Sequence, residues 1–234
     1  MTERDQKNVT NGDFIDRLRE YKKIMVPPVT GPMINAQSMV FLTAGFETTA
    51  NTLGSMMYFF ATNPDLQDKV YEEMIENLDD DDNVTYETTK EMHYLEAFTM
   101  ETLRMKPPLV EHDRICVKDC VVNGIKVKQG TMIQMPIYAA HYNEEFFPEP
   151  FVFNPDRFLK ENEDQIIPYT WRPFGAGNRV CIGQRFALLE VKIFVAKLLQ
   201  KFKIVQTSKT ALATPNGTMF LLTYPEIVVK LERR

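Results

Sequence analysis

The chain has 234 residues, of which 44% are hydrophobic and 25% are charged, and its formal net charge is −5. This length and composition are typical of a globular protein with a sizeable core. The acidic balance argues against a general nucleic-acid binder, and three cysteines are too few for a disulfide framework. Residues 1–23 are charged throughout and contain no apolar signal segment.

The first half of the sequence carries mainly helical patterns. An amphipathic helix is predicted near residues 14–18, and a long buried helix over 36–62, where Glu47 is the only charge. Because the second stretch also contains many polar side chains, we do not expect it to span a membrane. Residues 64–78 predict a surface helix, and residues 86–105 predict another helix or two.

The second half becomes richer in β-branched residues from residue 114 onward. The dipeptide Asn123-Gly124 separates two such runs, which is typical of a β-hairpin. Residues 184–202 predict a strongly apolar helix, and short strands are predicted at 203–208 and 226–232. We therefore predict one mostly helical domain with a minor β-sheet.

The stretch "FGAGNRVCIG" at 174–183 surrounds a single cysteine with three glycines. Cys181 comes two residues before Gly183, where the apolar helix begins, and the N-terminus of a helix favours a thiolate. Arg179 adds a positive charge nearby. The pattern is compatible with a metal ligand, with a nucleophile, or with a small buried cysteine in a tight turn.

Two further groups could carry chemistry. Glu101 and Arg104 in "ETLR" are three residues apart on one helix face, as an ordinary surface ion pair also would be. In "AGFETT", Gly45 could open room for a ligand while Glu47 and Thr48 deliver protons. The alternative is a helix-packing glycine beside a buried, hydrogen-bonded glutamate.

The remaining cysteines and the histidines are weaker candidates. Cys116 and Cys120 have the spacing C-x₃-C without a matching second pair, which argues against zinc. His93, His112 and His141 show no metal-ligand spacing.

The motifs "AGFETT", "ETLR", "PDRF" and "FGAGNRVCIG", in this order, resemble the cytochrome P-450 family of haem-thiolate monooxygenases. The haem-binding pattern of that family, F-x-x-G-x-R-x-C-x-G, is filled by Phe174, Gly177, Arg179, Cys181 and Gly183. Finer features are similar to the animal microsomal branch that includes broad-specificity xenobiotic oxidisers.

The resemblance extends from about residue 12 to the end of the chain. It implies the C-terminal part of the cytochrome P-450 fold, which is mainly α with a minor β-sheet. Because a complete member is considerably longer, we expect residues 1–234 to be a single cytochrome P-450 domain that is N-terminally incomplete.

The resemblance also implies the haem contacts. Cys181 would be the axial thiolate ligand of the iron in heme b, and Phe174 would pack beside the sulfur. Arg179 would pair with a haem propionate, and Arg114 matches the position of a second propionate-binding arginine. The two glycines of the pattern would bring the backbone close to the porphyrin.

Two other groups receive roles from the resemblance. Glu101, Arg104 and Arg157 would form a buried carboxylate–guanidinium network that supports the haem loop. On the distal face, the residue pair Glu47-Thr48 would be catalytic and help to protonate bound dioxygen. Space for the oxygen would lie beside Gly45.

The implied activity is the insertion of one oxygen atom of O₂ into a small lipophilic substrate, steroid-like or xenobiotic. Electrons would come from NADPH through a flavoprotein reductase, for which Arg172, Arg185 and Lys192 could form a basic docking face. No nucleic-acid partner is expected. The branch implies the cytoplasmic face of the endoplasmic reticulum membrane, with membrane association expected only for the full-length form, since no anchor or signal is visible here.

Two alternatives remain open. One is a haem-thiolate isomerase that rearranges peroxides or endoperoxides, although such relatives often lose the distal acid–alcohol pair, which is intact here as Glu47-Thr48. The other is a truncated, non-enzymatic fragment that cannot hold haem. Such a fragment would expose apolar surface, which predicts poor solubility.

Overall fold

The computed structural model describes residues 10–24, 26, 29–211, 216–217, 222–224 and 226–234. The α-helices are α1 Phe14–Ile24, α2 Gly31–Thr62, α3 Pro64–Glu76, α4 His93–Met105, α5 Ile137–His141 and α6 Gln184–Leu199. Short 3₁₀ helices cover Thr88–Lys90, Pro155–Phe158, Lys160–Gln165 and Gly177–Arg179. The strands are β1 Glu111–Ile115, β2 Cys120–Val122, β3 Ile125–Val127, β4 Met132–Pro136, β5 Phe202–Val205, β6 Asn216–Gly217, β7 Leu222–Thr223 and β8 Lys230–Arg233.

The chain divides into two compact units, Met1–Glu47 and Thr48–Arg234. In the described part of the first unit, the ring of Phe14 in α1 packs on the ring of Phe41 in α2, with their centroids 4.4 Å apart. This aromatic contact joins α1 to the beginning of α2.

The core of the second unit forms where α3, α4 and α6 pack on the later part of α2. Phe60 of α2 stacks on Phe98 of α4 with the ring centroids 4.0 Å apart, and both side chains are fully buried. Gln67 in α3 then ties β5 to these helices. Its amide nitrogen donates to the carbonyl of Ile204 at 2.8 Å, and its amide oxygen accepts the N–H of Ile204 at 2.8 Å.

The strands of the described residues form antiparallel pairs, β1 with β4, β2 with β3, β5 with β8, and β6 with β7. The β2–β3 turn is the predicted hairpin, in which Asn123 and Gly124 have φ values of 48° and 80°. Glycine and asparagine tolerate this left-handed conformation best. The closing strands are also present, although shorter than predicted. The prediction of a mainly helical fold with minor β-structure is confirmed.

The long helix α2 is less buried than its composition predicts. The sequence favours a buried helix over 36–62, but Leu42 and Phe46 are 67% and 74% exposed. The prediction of burial is wrong for this part, because an apolar helix is buried only where other elements cover it. From residue 51 to residue 62, every side chain is buried or half-buried. None of the helices within the described ranges combines the length and the apolar character that a membrane crossing requires.

Candidate functional site

A carboxylate–guanidinium pair is buried near the end of α4. Nε and Nη2 of Arg104 donate to the two carboxylate oxygens of Glu101 at 2.7 and 2.8 Å, and neither side chain is exposed. The backbone N–H of Asn154 donates to the same carboxylate at 2.9 Å, and Nε of Arg157 lies 3.6 Å from it. The planar fork of arginine matches two carboxylate oxygens. The pair is therefore part of the interior and not a surface ion pair.

The contacts of Glu101 only partly offset the effect of its burial, and its pKa is raised overall. Burial raises the pKa of Glu101, while Arg104, the Asn154 amide and Arg157 act in the opposite direction. Arg157 is also held at its other end, since its Nη2 donates to the carbonyl of Glu149 at 3.0 Å. The buried anion thus faces the paired cation that a buried charge requires.

His141, the last residue of α5, joins this group to the segment before Cys181. Nδ1 of the ring lies 3.0 Å from the carbonyl oxygen of Arg104, and Nε2 accepts the N–H of Arg172 at 3.2 Å. Because Nε2 accepts a hydrogen bond, the proton of the neutral ring is assigned to Nδ1, which donates to Arg104. Burial lowers the pKa of His141 to about 4, against the Arg104 backbone contact, so the ring is neutral at physiological pH.

Sequence reasoning missed His141 because the spacing of the histidines pointed to no metal site. A usable signal was its position after the short apolar segment 137–140. A histidine buried there needs hydrogen-bond partners for both ring nitrogens, so it links parts of the chain that are distant in sequence.

Cys181 lies in a loop that its own backbone closes. The N–H of Cys181 donates to the carbonyl of Phe174 at 2.9 Å. Gly175 and Gly177 have φ values of 77° and 71°, which only glycine adopts without strain. The thiol is exposed, and α6 begins at Gln184. Exposure does not fit a small buried cysteine in a turn, and it leaves the metal ligand and the nucleophile as interpretations.

The residues beside this thiol take different positions. Phe174 is half-buried, and its ring meets the ring of Trp171 edge-on at 6.4 Å. Nε1 of Trp171 donates to the carbonyl of Met100 at 3.2 Å, which anchors the loop to α4. Arg179 is exposed, and Gly183 is the residue that precedes α6.

Strand β1 approaches the loop at Gly175. A Cβ atom added at Gly175 would lie 3.3 Å from Nε2 of His112, so any side chain there would press on the imidazole. Burial lowers the pKa of His112, opposed by the Arg172 backbone. In the same strand Arg114 is half-buried, and its Nη1 donates to the carbonyl of Asp113 at 2.7 Å. Within the described residues, Nε2 of His112 and Nε of Arg172 are buried and have no hydrogen-bond partner.

This arrangement fits the flat, carboxylate-bearing cofactor that the resemblance implies. Cys181 supplies an exposed sulfur, which is a ligand type that haem iron accepts. Glycine at 175 lets the loop backbone come close to β1. The buried Nε of Arg172, unpartnered among the described residues, would be completed by a carboxylate, the acceptor that arginine prefers.

The three residues predicted on the distal side lie in α2. The helix continues through Gly45, where an added Cβ would meet open space. Glu47 is exposed, so the expectation of a buried carboxylate is wrong, for the same reason that Phe46 is exposed. Thr48 is half-buried, and its carbonyl accepts the hydroxyl of Thr52 at 2.9 Å. The catalytic role of Glu47 and Thr48 stays a prediction.

One of the three residues predicted to form a basic docking face, Lys192, does not lie on the surface. Lys192 is only 7% exposed, and its Nζ donates to the carboxylate of Glu96 at 2.7 Å. Its inclusion was wrong, because it lies on the side of α6 that faces the core, next to Val191. Arg185 is exposed and Arg172 is half-buried.

The family model for cytochrome P450 matches residues 1–231 of this chain. With the Cys181 loop, the buried pair in α4 and the helical fold, the match defines the class of protein. The chain belongs to the cytochrome P450 family, as its motifs predict.

The relatives of this chain include mammalian members of the family. It is 41% identical over 201 residues to cytochrome P450 3A6 of Oryctolagus cuniculus, covering 85% of this chain and 40% of that protein. It is 40% identical over 205 residues to cytochrome P450 3A41 of Mus musculus, covering 84% and 41%. It is 38% identical over 201 residues to cytochrome P450 3A19 of Capra hircus aegagrus, covering 85% and 92%. The predicted likeness to the animal branch is confirmed, and the chain spans about two-fifths of the length of the first two relatives.

Proposed function

We propose that this chain belongs to a haem-thiolate monooxygenase, an oxidoreductase that inserts one oxygen atom of O₂ into a small lipophilic substrate. The observation that carries this proposal is Cys181, an exposed thiol that lies between left-handed glycines and the start of α6. Membership of the cytochrome P450 family and the similarity to proteins named cytochrome P450 3A support it.

Cys181 would hold the iron of heme b, and the bound haem would supply the activation of dioxygen. Phe174 would pack beside the sulfur and keep water away from it. Arg179 and Arg114 would pair with the haem propionates, with Arg172 as a further donor because its Nε is buried and lacks a partner among the described residues.

The buried group around Glu101 would act by positioning. Arg104 is fixed by two hydrogen bonds to Glu101 and donates to the carbonyl of His141, whose ring accepts the N–H of Arg172. Arg157 lies beside the same carboxylate. These contacts would hold the segment that contains Arg172, before Cys181, in a fixed position relative to α4.

Proton delivery would come from α2. Glu47, which is exposed, and Thr48, which is half-buried, would be the acid–alcohol pair that supplies protons to the reaction. Gly45 has open space at its missing Cβ position, which would leave room for a diatomic ligand.

The electrons would come from NADPH through a flavoprotein reductase, with the exposed Arg185 as a contact of its docking face. The substrate class would be steroid-like or xenobiotic, and the protein would lie on the cytoplasmic face of the endoplasmic reticulum membrane. These assignments rest on the resemblance to the animal branch and on the mammalian relatives.

The test is a carbon monoxide difference spectrum. The chain is expressed, supplied with haem, reduced and exposed to carbon monoxide, and the red-shifted Soret band of thiolate ligation is recorded. We expect the band in the unaltered chain and its loss in Cys181→Ala. The matched control is Cys120→Ala, which also removes an exposed thiol and should keep the band.

A band that persists in Cys181→Ala would overturn the ligand assignment. If the folded chain takes up no haem, this chain has no monooxygenase activity, and the non-enzymatic alternative holds while the family membership stands.

A further inference from the structure

Two thiols lie close together, one just after strand β1 and the other at the start of strand β2. Sγ of Cys116 lies 3.6 Å from Sγ of Cys120. Cys116 is buried and Cys120 is exposed, so a reagent in solution reaches one member of the pair. A disulfide bond is about 2.05 Å long, and the two sulfurs therefore need to approach by only about 1.5 Å. We propose that this pair is an oxidative modification site, at which a peroxide converts the two thiols into a Cys116–Cys120 disulfide.

Backbone hydrogen bonds hold Cys116 in place, so the required movement must come from the side chains and from residues 117–119. Cys116 is fixed on both sides, since its N–H donates to the carbonyl of Thr131 at 2.9 Å and its carbonyl accepts the N–H of Gly130 at 2.8 Å. Cys120 lies opposite Val127 in the β2–β3 pair. Residues 117–119 between the two cysteines are exposed. The sulfurs can close by side-chain rotation and a small shift of this segment, without moving β1 from β4.

The reaction balances with one peroxide for each pair. The thiolate of Cys120 attacks one peroxide oxygen, so that an S–O bond forms, the O–O bond breaks and one water leaves. The sulfur of Cys116 then attacks that sulfenic sulfur, so that the S–S bond forms, the S–O bond breaks and the hydroxyl leaves as a second water. Both sulfurs are oxidised, hydrogen peroxide is reduced to two waters, and the two thiol protons end in those waters.

The contact that brings the thiols together also affects the ionisation of Cys120. Hydrogen bonding with Cys116 raises the pKa of Cys120, and burial and the charge of Asp119 act in the same direction. Because the thiolate is the attacking species, the reaction is best followed at mildly alkaline pH.

The arrangement of basic residues allows a direct test. Trypsin cuts after Arg114, Lys118 and Lys126, so the two cysteines fall in separate peptides, 115–118 and 119–126. The full chain is treated with hydrogen peroxide, its remaining thiols are alkylated, and the unreduced digest is analysed by mass spectrometry. We expect the two peptides as one species, lighter than their sum by two hydrogen atoms and separated again by dithiothreitol.

Matched variants distinguish this pair from general oxidation. Cys120→Ser changes an exposed side chain and should remove the joined species completely, whereas Cys181→Ser should leave it unchanged. The proposal is overturned if the peroxide-treated chain shows no joined species, with Cys116 and Cys120 still alkylated or converted separately to sulfinic acids. It is also overturned if Cys120 joins the Cys181 peptide, residues 180–185, in preference to Cys116.

Discussion

The side chains of Arg104 and His141 each form a hydrogen bond with the backbone carbonyl of the other residue. Nη1 of Arg104 donates to the carbonyl of His141 at 2.8 Å, and Nδ1 of the His141 ring lies 3.0 Å from the carbonyl of Arg104. Since Nε2 of the ring also accepts the N–H of Arg172, the end of α4, the end of α5 and the segment before Cys181 share one buried histidine.

The stability of the chain should fall in mild acid because of His141. Its pKa is lowered from 6.5 to about 4 in the folded chain. The unfolded chain therefore takes up a proton as the pH falls through 6.5, whereas the folded chain resists until about pH 4. The contribution is fully present above pH 6.5 and is lost towards pH 4, by about 3 kcal/mol in total. Urea unfolding at a series of pH values measures this loss.

The comparison that isolates His141 uses glutamine at two positions. His141→Gln should remove this part of the pH dependence, while His93→Gln, at an exposed histidine, should keep it. Equal pH profiles in the two variants would contradict the assignment.

The pair Glu101 and Arg104 has an exposed counterpart with the same spacing, Glu87 and Lys90. Glu101→Gln leaves the guanidinium buried without an anion, and we expect a loss of about 3 to 5 kcal/mol in the free energy of unfolding. Glu87→Gln should leave the denaturation midpoint nearly unchanged, because solvent screens an exposed pair.

If Glu101→Gln is too unstable to purify, Glu101→Asp keeps the charge and weakens the two-point geometry. It should have an intermediate midpoint. A midpoint for Glu101→Gln as high as that of Glu87→Gln would show that the buried pair adds no stability.

Comparing Gly175 with Gly177 separates the effect of backbone conformation from the effect of the space that a missing Cβ leaves. Both have positive φ, so alanine costs about 1 to 2 kcal/mol at either position. Only at 175 would the new Cβ also press on Nε2 of His112, at 3.3 Å. We therefore expect Gly175→Ala to lower the free energy of unfolding more than Gly177→Ala does, as measured by urea denaturation.

A double-mutant cycle checks the cause of that difference. His112→Ala removes the ring, so the additional cost of Gly175→Ala should disappear in the double variant. Additive effects would mean that the ring is not what position 175 contacts.

Gly45 and Gly54 offer a matched pair within α2. Alanine is favoured over glycine by about 1 kcal/mol in a helix interior, and at Gly45 the added Cβ meets open space. Gly45→Ala should therefore raise the thermal midpoint. At Gly54 the Cβ would lie 3.4 Å from Cδ1 of Ile227, which is an ordinary van der Waals contact, so Gly54→Ala should raise the midpoint as well. A lower midpoint for Gly45→Ala would mean that this glycine is needed by the fold.

Features that depend on neighbours in the sequence were predictable. The Asn123-Gly124 turn has positive φ at both residues, and asparagine and glycine favour this conformation without help from distant contacts. In the same way, the glycines around Cys181 and the apolar run after Gly183 indicate a loop followed by a helix. Such local rules need no knowledge of what packs against the segment.

Features that depend on distant partners were not predictable. Lys192 reads as a surface cation, but it is buried because Glu96 lies opposite it in the fold. His141 reads as an isolated histidine because its partner Arg104 is 37 residues away. The predicted burial of Phe46 was wrong for the opposite reason. An apolar pattern does not show whether another element covers the helix.

The hydrogen bond from Cys181 to Phe174 closes its loop as part of the fold itself. Immobilising a flexible backbone costs roughly 1 to 2 kcal/mol per residue, and a preorganised loop meets this cost on folding and not on binding. A ligand that reaches Cys181 would keep most of the free energy of its bond to sulfur as affinity. Loosening the loop, for example by replacing Trp171, would then speed the escape of the ligand although the sulfur itself is untouched.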